Sequence, residues 1–330
     1  MSAIEVLAPG LLTTVQDLGR EGFGPMGVSP SGAADPLALR MGNRLVGNAE
    51  GAATLEMTLL GGTFLFREGG IGALTGSDFG ANLDGTAVPR WASFEVKPGQ
   101  TLRLGPTRSG ARCYLCVQGG IAVKSFLGSA STHLLSGLGG HEGRALRKGD
   151  VLKIGDAREA KEKGTDHNAS STEGAHKSNR LRSVAAKALE LLAPRKVLRV
   201  TPGPQSDWFP KAAQRIFYSS TYRVSEEANR MGLRLAGPAI REGAHGEMIS
   251  EGVSLGAIQV AAGGLPILLF VEQQTTGGYA KMANVISADF SSLGQLRPRD
   301  EIRFELVNFE SARKLFIEQE KLLAAKDLIV

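Results

Sequence analysis

Short apolar runs recur along the chain, separated by Gly, Pro and Asp. "TFLF" (63–66), "WASFEV" (91–96), "TLRLG" (101–105), "RCYLCV" (112–117), "VLKIG" (151–155), "AIQV" (257–260), "PILLF" (266–270) and "IRFELV" (302–307) are the clearest. Runs of this length, rich in branched and aromatic residues and bounded by turn formers, predict strands. Helical spacing is rarer. After Asp35 and Pro36, the residues Leu37, Met41 and Leu45 fall on one helix face before Gly47. A second helix is expected where Ser225 caps, Glu226 and Glu227 suit the dipole, and Ala228, Met231 and Leu235 share a face before Gly237-Pro238. "VAAKALELL" (184–192) also has helical spacing. "SARKLFIEQEKLLAAKDL" (311–328) predicts a C-terminal amphipathic helix with Leu315, Ile317, Leu322 and Leu323 as its apolar contacts. Many short strands with few helices argue for closed or nearly closed antiparallel barrels.

The pattern is written twice. "IEVLAPG" (4–10) is echoed by "VLRVTPG" (197–203), "LRMGNRLVG" (39–47) by "NRMGLRLAG" (229–237), and "KPGQTLRLG" (97–105) by "RPRDEIRFE" (297–305). Three echoes in the same order predict two copies of one domain. The stretch 156–183 between them is polar, charge-mixed and almost free of large apolar residues, too poor in burial to fold alone. The expected organisation is therefore 1–155 as the first barrel, 156–190 as a linker or insert, and 191–330 as the second barrel.

Composition narrows the function classes. The net charge of +5 arises from 38 basic and 33 acidic groups mixed along the chain, so no concentrated basic patch points to nucleic acid. No run approaches the ~18 apolar residues of a membrane span. "MSAIEVLAPG" lacks the basic-then-apolar order of a signal peptide, so a cytoplasmic protein is expected. Cys113 and Cys116 form a C-x-x-C inside a predicted strand rather than at a helix start, which reads as two half-buried small hydrophobes with reduced thiols.

Several motif matches do not carry their usual chemistry. "GFGPMG" (22–27) has the letters of a dinucleotide fingerprint, but Pro25 interrupts it and no strand–helix–strand alternation surrounds it. "GGIAVKS" (119–125) lacks the Gly directly before Lys that a phosphate loop requires. His141 beside Glu142 has no second His at a metal spacing; His133, His167, His176 and His245 are scattered, so no metal site is expected. No G-x-S-x-G elbow is present.

Three stretches carry candidate chemistry. "TTVQDLGREGFGPMGVSPSGAAD" (13–35) is a long glycine-rich loop with Gln16, Asp17 and Arg20 close together and Ser29 and Ser31 near a helix start, where free N–H groups favour an anion. In "EMISEGVSLGAIQV" (247–260), Glu247, Ser250 and Glu251 lead into a strand carrying Gln259, and two carboxylates four apart could do acid–base work. "VEQQTTGGYAKMANVISADF" (271–290) places amides, hydroxyls and two glycines at one strand end. The first copy has only "QGGIAVKS" at the matching place, so the barrel itself does not require the motif.

Taken with "GARCYLCVQGGI", "LGSASTHL" and "SEEANRMGLRLAG", these stretches resemble the biotin-dependent carboxyltransferase and allophanate hydrolase subunit 2 family. Its members include the C subunit of bacterial 5-oxoprolinase, urea amidolyase-related proteins and an antagonist of a sporulation kinase inhibitor. Glu272, Gln273 and Ala280 stand where that family commonly has Asp, Arg and Pro, and Asn229 where it commonly has Asp.

The resemblance implies a mainly β fold of two cyclophilin-like β-barrel repeats, with a few short helices and a C-terminal helix. It implies one component of an ATP-dependent 5-oxoprolinase, which converts 5-oxo-L-proline to L-glutamate with partner chains. These would be a B subunit resembling allophanate hydrolase subunit 1, together with an A subunit. The alternatives are a biotin-dependent carboxyltransferase or urea amidolyase-type component acting on urea or an amide, and a non-catalytic antagonist of a kinase inhibitor. ATP is expected to be held with a partner. Biotin is not expected on this chain, which has "AKMAN" (280–284) rather than an Ala-Met-Lys-Met site. On this reading Gln274, Thr275, Thr276, Tyr279 and Arg230 are the reacting-site candidates. Gly277, Gly278, Arg234, Gln259, Asp17, Arg20 and Ser31 are the candidates for binding the amide or lactam.

Overall fold

The computed structural model describes residues 2–156, 181–241, 243 and 248–330. Glu247, His245, His167, His176 and most of the expected 156–190 linker lie outside the described residues. The chain divides into two compact units. The first comprises Met1–Gly19, Pro36–Leu189 and Lys326–Val330, and the second Arg20–Asp35 and Glu190–Ala325. The glycine-rich loop from Arg20 therefore groups with the second unit, although it lies early in the chain.

The first unit holds two sheets around one core. One runs Val151–Lys153, Ala3–Ala8, Thr63–Phe66, Thr101–Arg103, Asn82–Leu83, Thr86–Ala87. The other runs Leu12–Gln16, Thr54–Thr58, Ser109–Val117, Gly70–Asp78, Ala92–Val96. Ile4, Val6, Val15, Leu55, Met57, Phe64, Leu74 and Leu115 meet between them. The helix Pro36–Leu45 buries Leu37, Met41 and Leu45 as its spacing predicts, and Gly47 follows in the left-handed region at φ 77°. Gly42 is required there, because a side-chain carbon would lie 2.5 Å from the Cys116 sulfur.

Cys113 and Cys116 are free thiols on Ser109–Val117, both fully buried rather than half-buried. Burial pushes the Cys116 thiol up to about 12 and that of Cys113 higher still, so neither is a ready nucleophile. The end of "VAAKALELL" forms the helix Ala186–Leu191, with Ala188 buried.

The second unit is a closed seven-stranded barrel. Its order is Val197–Pro202, Lys281–Val285, Ala257–Val260, Pro266–Leu269, Gly232–Ala236, Tyr222–Val224, Glu301–Leu306, closing on the first strand through a parallel pair. Leu198, Val200, Phe217, Tyr222, Ile258, Leu268, Phe270, Met282 and Phe304 fill it, and Ala34 from the early loop joins the same core.

The helix expected across Ser225–Leu235 is not formed. Asn229 accepts the N–H groups of Met231 and Gly232, making a turn, and Gly232–Ala236 is a strand with Leu233 and Leu235 inward and Arg234 outward. The sequence satisfies both periods locally; pairing with Pro266–Leu269 on one side and Tyr222–Val224 on the other decides for the strand. The helix of this region is Lys211–Ser219, whose Ala213 and Phe217 are buried. The C-terminal helix spans Phe309–Ala324, with the Asn308 side chain accepting from the Ser311 N–H at 2.7 Å. Leu323 is buried and Leu315 and Leu322 half-buried, but Ile317 is exposed, contrary to its expected contact role.

A candidate binding site at the strand end of the second unit

The strand Pro266–Leu269 leads into a turn held by backbone bonds, Glu272 N–H to the Arg230 carbonyl at 2.8 Å and Gln273 N–H to the Phe270 carbonyl at 2.9 Å. Thr276–Gly277 then pairs with Glu251–Gly252 in a two-strand ladder outside the barrel wall. This ladder brings "EQQTTGGY" against "SEGVS", two stretches that the sequence singles out separately. Gln274, Thr276 and Tyr279 are exposed, and Thr275 is half-buried.

Beneath the ladder lies Gln259, fully buried on Ala257–Val260 and registered opposite Lys281 on the neighbouring strand. Its Nε2 donates to the Tyr279 carbonyl at 3.4 Å. Gly277 lets this amide come close: a side-chain carbon there would sit 2.6 Å from Gln259 Nε2. Gly278 has Ser250 Oγ 3.4 Å from the equivalent point.

Lys281 follows the motif by two residues and is buried, with 5% of its side chain exposed, whereas its ion-pair partner Glu251 is 45% exposed. Gln205 links them. Its Nε2 donates to Glu251 Oε1 at 2.6 Å, and its Oε1 accepts from the Lys281 N–H at 3.1 Å. The Lys281 ammonium, then the Gln205 amide, hold the Glu251 carboxyl below its ordinary range. Lys281 and Gln205 are the site residues that sequence reading missed. Lys281 stands two residues after the motif, but nothing in the letters says that the fold buries that position. Gln205 follows the Pro202-Gly203 echo that opens the second copy.

The other candidates lie elsewhere. Arg230 is buried in an ion pair with Glu272 and donates to the Gly32 carbonyl at 2.7 Å, so it fastens the early loop to the second unit. Arg234 points out of the barrel toward Glu227 at 3.6 Å. Arg20 and Ser31 are buried within the loop that groups with the second unit, Ser31 with φ 58° and the Arg20 N–H on the Pro30 carbonyl. Asp17 is in the first unit, where its carboxylate accepts from Ser129 Oγ (2.6 Å), Ser131 Oγ (2.5 Å), Ala130 N–H (2.6 Å) and Gly19 N–H (2.8 Å). That carboxylate organises "LGSASTHL". The structure thus gathers Gln259, Gln274, Thr275, Thr276, Gly277, Gly278 and Tyr279 with Glu251, Lys281 and Gln205.

The glycine-rich runs do not cradle phosphates. "GFGPMG" forms a three-residue 3-10 turn, Gly24–Met26, and not a helix start. In "GGIAVKS", a side chain at Gly119 would collide with the Gly155 backbone, so that glycine serves a chain crossing.

Neutral amides, hydroxyls and approachable backbone suit an amide or lactam, and a buried ammonium beside them suits an anion. The chain belongs to the family of the carboxyltransferase domain, subdomain A and B, whose model matches residues 26–306. It is 38% identical to the C subunit of 5-oxoprolinase from Escherichia coli (strain K12), over 96% of each chain. Urea amidolyase of Saccharomyces cerevisiae is 35% identical over 99% of this chain, which spans 18% of that protein. Among solved structures, the K. lactis urea amidolyase superposes with a TM-score of 0.86 at 31% identity, covering 99% of this chain and 21% of that one.

Proposed function

We propose that this chain is the C subunit of an ATP-dependent 5-oxoprolinase, which opens 5-oxo-L-proline to L-glutamate together with A-type and B-type partner chains in the cytoplasm. The observation that carries the reading is the end-to-end match to the C subunit of 5-oxoprolinase, which covers nearly the whole of both chains. No helix among the described residues is long and apolar enough to cross a membrane. An unstrained amide resists water because its carbonyl is a poor electrophile; a phosphoryl group passed from ATP to the carbonyl oxygen makes the carbon electrophilic enough for water to add and the ring C–N bond to break, and phosphate leaves when the acyl phosphate so formed is hydrolysed to the carboxylate. We assign ATP to a partner chain, a reading supported by the short 3-10 turn at Gly24–Met26 and the chain crossing at Gly119, neither of which has phosphate-loop geometry.

The residues of this chain then have binding roles. Gln259 and Gln274 offer amides to the lactam N–H and C=O, Thr275, Thr276 and Tyr279 add hydroxyls, and Gly277 and Gly278 let the ring approach the backbone. Co-expression with A- and B-type partners, followed by assay of ATP-dependent glutamate formation, tests the reading. The expected result is turnover that requires all chains, and its absence with every partner present defeats the proposal. A second reading, a urea carboxylase-type carboxyltransferase, is favoured by the 0.86 superposition on urea amidolyase. It predicts turnover of urea with a biotin carrier supplied in trans.

A further inference from the structure

Lys281 is the basic group that the roles above leave unused. An ammonium with only 5% of its side chain exposed must keep a negative partner, because desolvation of an uncompensated charge is costly. Its partner comes from Glu251, which is nearly half exposed and is carried by a two-residue ladder rather than by the barrel. Two neutral amides flank the pair: Gln205 donates to the Glu251 carboxylate and accepts from the Lys281 backbone N–H, and Gln259 is the cross-strand neighbour of Lys281. A buried cation paired with a solvent-reaching carboxylate is the arrangement of an anion site holding an internal occupant.

We propose that Lys281, with Gln205 and Gln259, forms a subsite for the carboxylate of a small acid substrate, and that Glu251 occupies it until substrate displaces it. Incoming carboxylate replaces the Glu251 ion pair with an equivalent one, and Glu251 moves into water with its ladder. No covalent bond changes. The subsite deepens the 5-oxoproline reading and rests on it for the identity of the acid, since that lactam carries a carboxylate. It shares Gln259 with the amides proposed for the ring. An intramolecular carboxylate competes with ligand at an effective concentration on the order of millimolar, so removing its charge exposes the cation to ligand.

The test titrates 5-oxoproline, the neutral lactam 2-pyrrolidinone, and acetate into the purified full-length chain by calorimetry. Wild type, Glu251→Gln and Lys281→Met are compared, with circular dichroism and melting as controls for folding. Glu251→Gln is expected to tighten 5-oxoproline and acetate by about tenfold while leaving 2-pyrrolidinone unchanged. Lys281→Met is expected to abolish binding of both anions. Equal or weaker acetate binding by Glu251→Gln overturns the subsite, as does equal tightening of the neutral lactam. If acetate tightens but 5-oxoproline does not, the subsite stands and the lactam reading fails.

Discussion

At the residue scale, the arrangement of Gly277 over Gln259 separates a packing glycine from a binding one. The alanine carbon would meet a flexible amide end at 2.6 Å, which can shift, and no other atom closer than 3.3 Å. Gly277→Ala is therefore expected to lower turnover of the reconstituted complex about tenfold, with a melting shift below about 3 °C. The Arg230–Glu272 pair is the converse case, since both side chains are at least 95% buried. Glu272→Gln leaves the Arg230 charge without its carboxylate and is expected to cost about 3 kcal/mol in denaturant unfolding. That site also shows how sequence misleads. Arg230 is legible as a charged group near the motif, but only the fold shows its guanidinium turned to Glu272 and the Gly32 carbonyl.

At the element scale, the last echo of the repeat is a turn in both copies. Gly99 and Arg299 hold φ 80° and 72° at matching positions. Each turn is closed by a side chain accepting a backbone N–H, Gln100 from Lys97 and Asp300 from Arg297, both at 2.8 Å. Gly99→Ala is expected to destabilise by about 1 kcal/mol, while Arg299→Gly leaves stability unchanged or raised. Thermal melts of the two variants check both. The middle echo is the informative failure. "LRMGNRLVG" is helix, and "NRMGLRLAG" is turn and strand. Similar letters fold differently because one segment meets a sheet face and the other a barrel wall with two strands waiting to pair.

The loop before Val151–Lys153 makes a pH-dependent element. Arg144 donates to both oxygens of Asp150 at 2.8 and 3.0 Å, and with the Arg147 N–H it holds that carboxyl at about 2. A depressed folded value stabilises above the unfolded value near ~4, and the contribution fades as pH falls from about 4 to about 2. Asp150→Asn is expected to lose about 2 kcal/mol at neutral pH, with the gap from wild type closing over that window. Urea unfolding at several pH values measures it.

At the scale of the whole molecule, chain order and unit membership differ. Ala34 belongs to the core of the second unit, Gln295 donates to Asp35 at 2.7 Å, and a side chain at Gly294 would run into the Ala34 backbone. Leu328, near the other end of the chain, is buried in the first unit, where Ile329 bridges Val184. A fragment of residues 190–330, cut where the sequence invites a cut, lacks the segment that fills this space. It is expected to lose the cooperative melt that the intact chain shows, as checked by circular dichroism.

What the sequence by itself determined was local. The strands, the helix after Pro36, the C-terminal helix and the amide–hydroxyl–glycine motif all follow from periodicity and turn chemistry within a short window. The tertiary structure decided the strand at Gly232–Ala236, the transfer of Arg20–Asp35 to the second unit, and the meeting of Lys281, Glu251, Gln205 and Gln259. Those outcomes depend on partners up to 260 residues away, and the direction in which a side chain points is fixed by the ladder its strand joins.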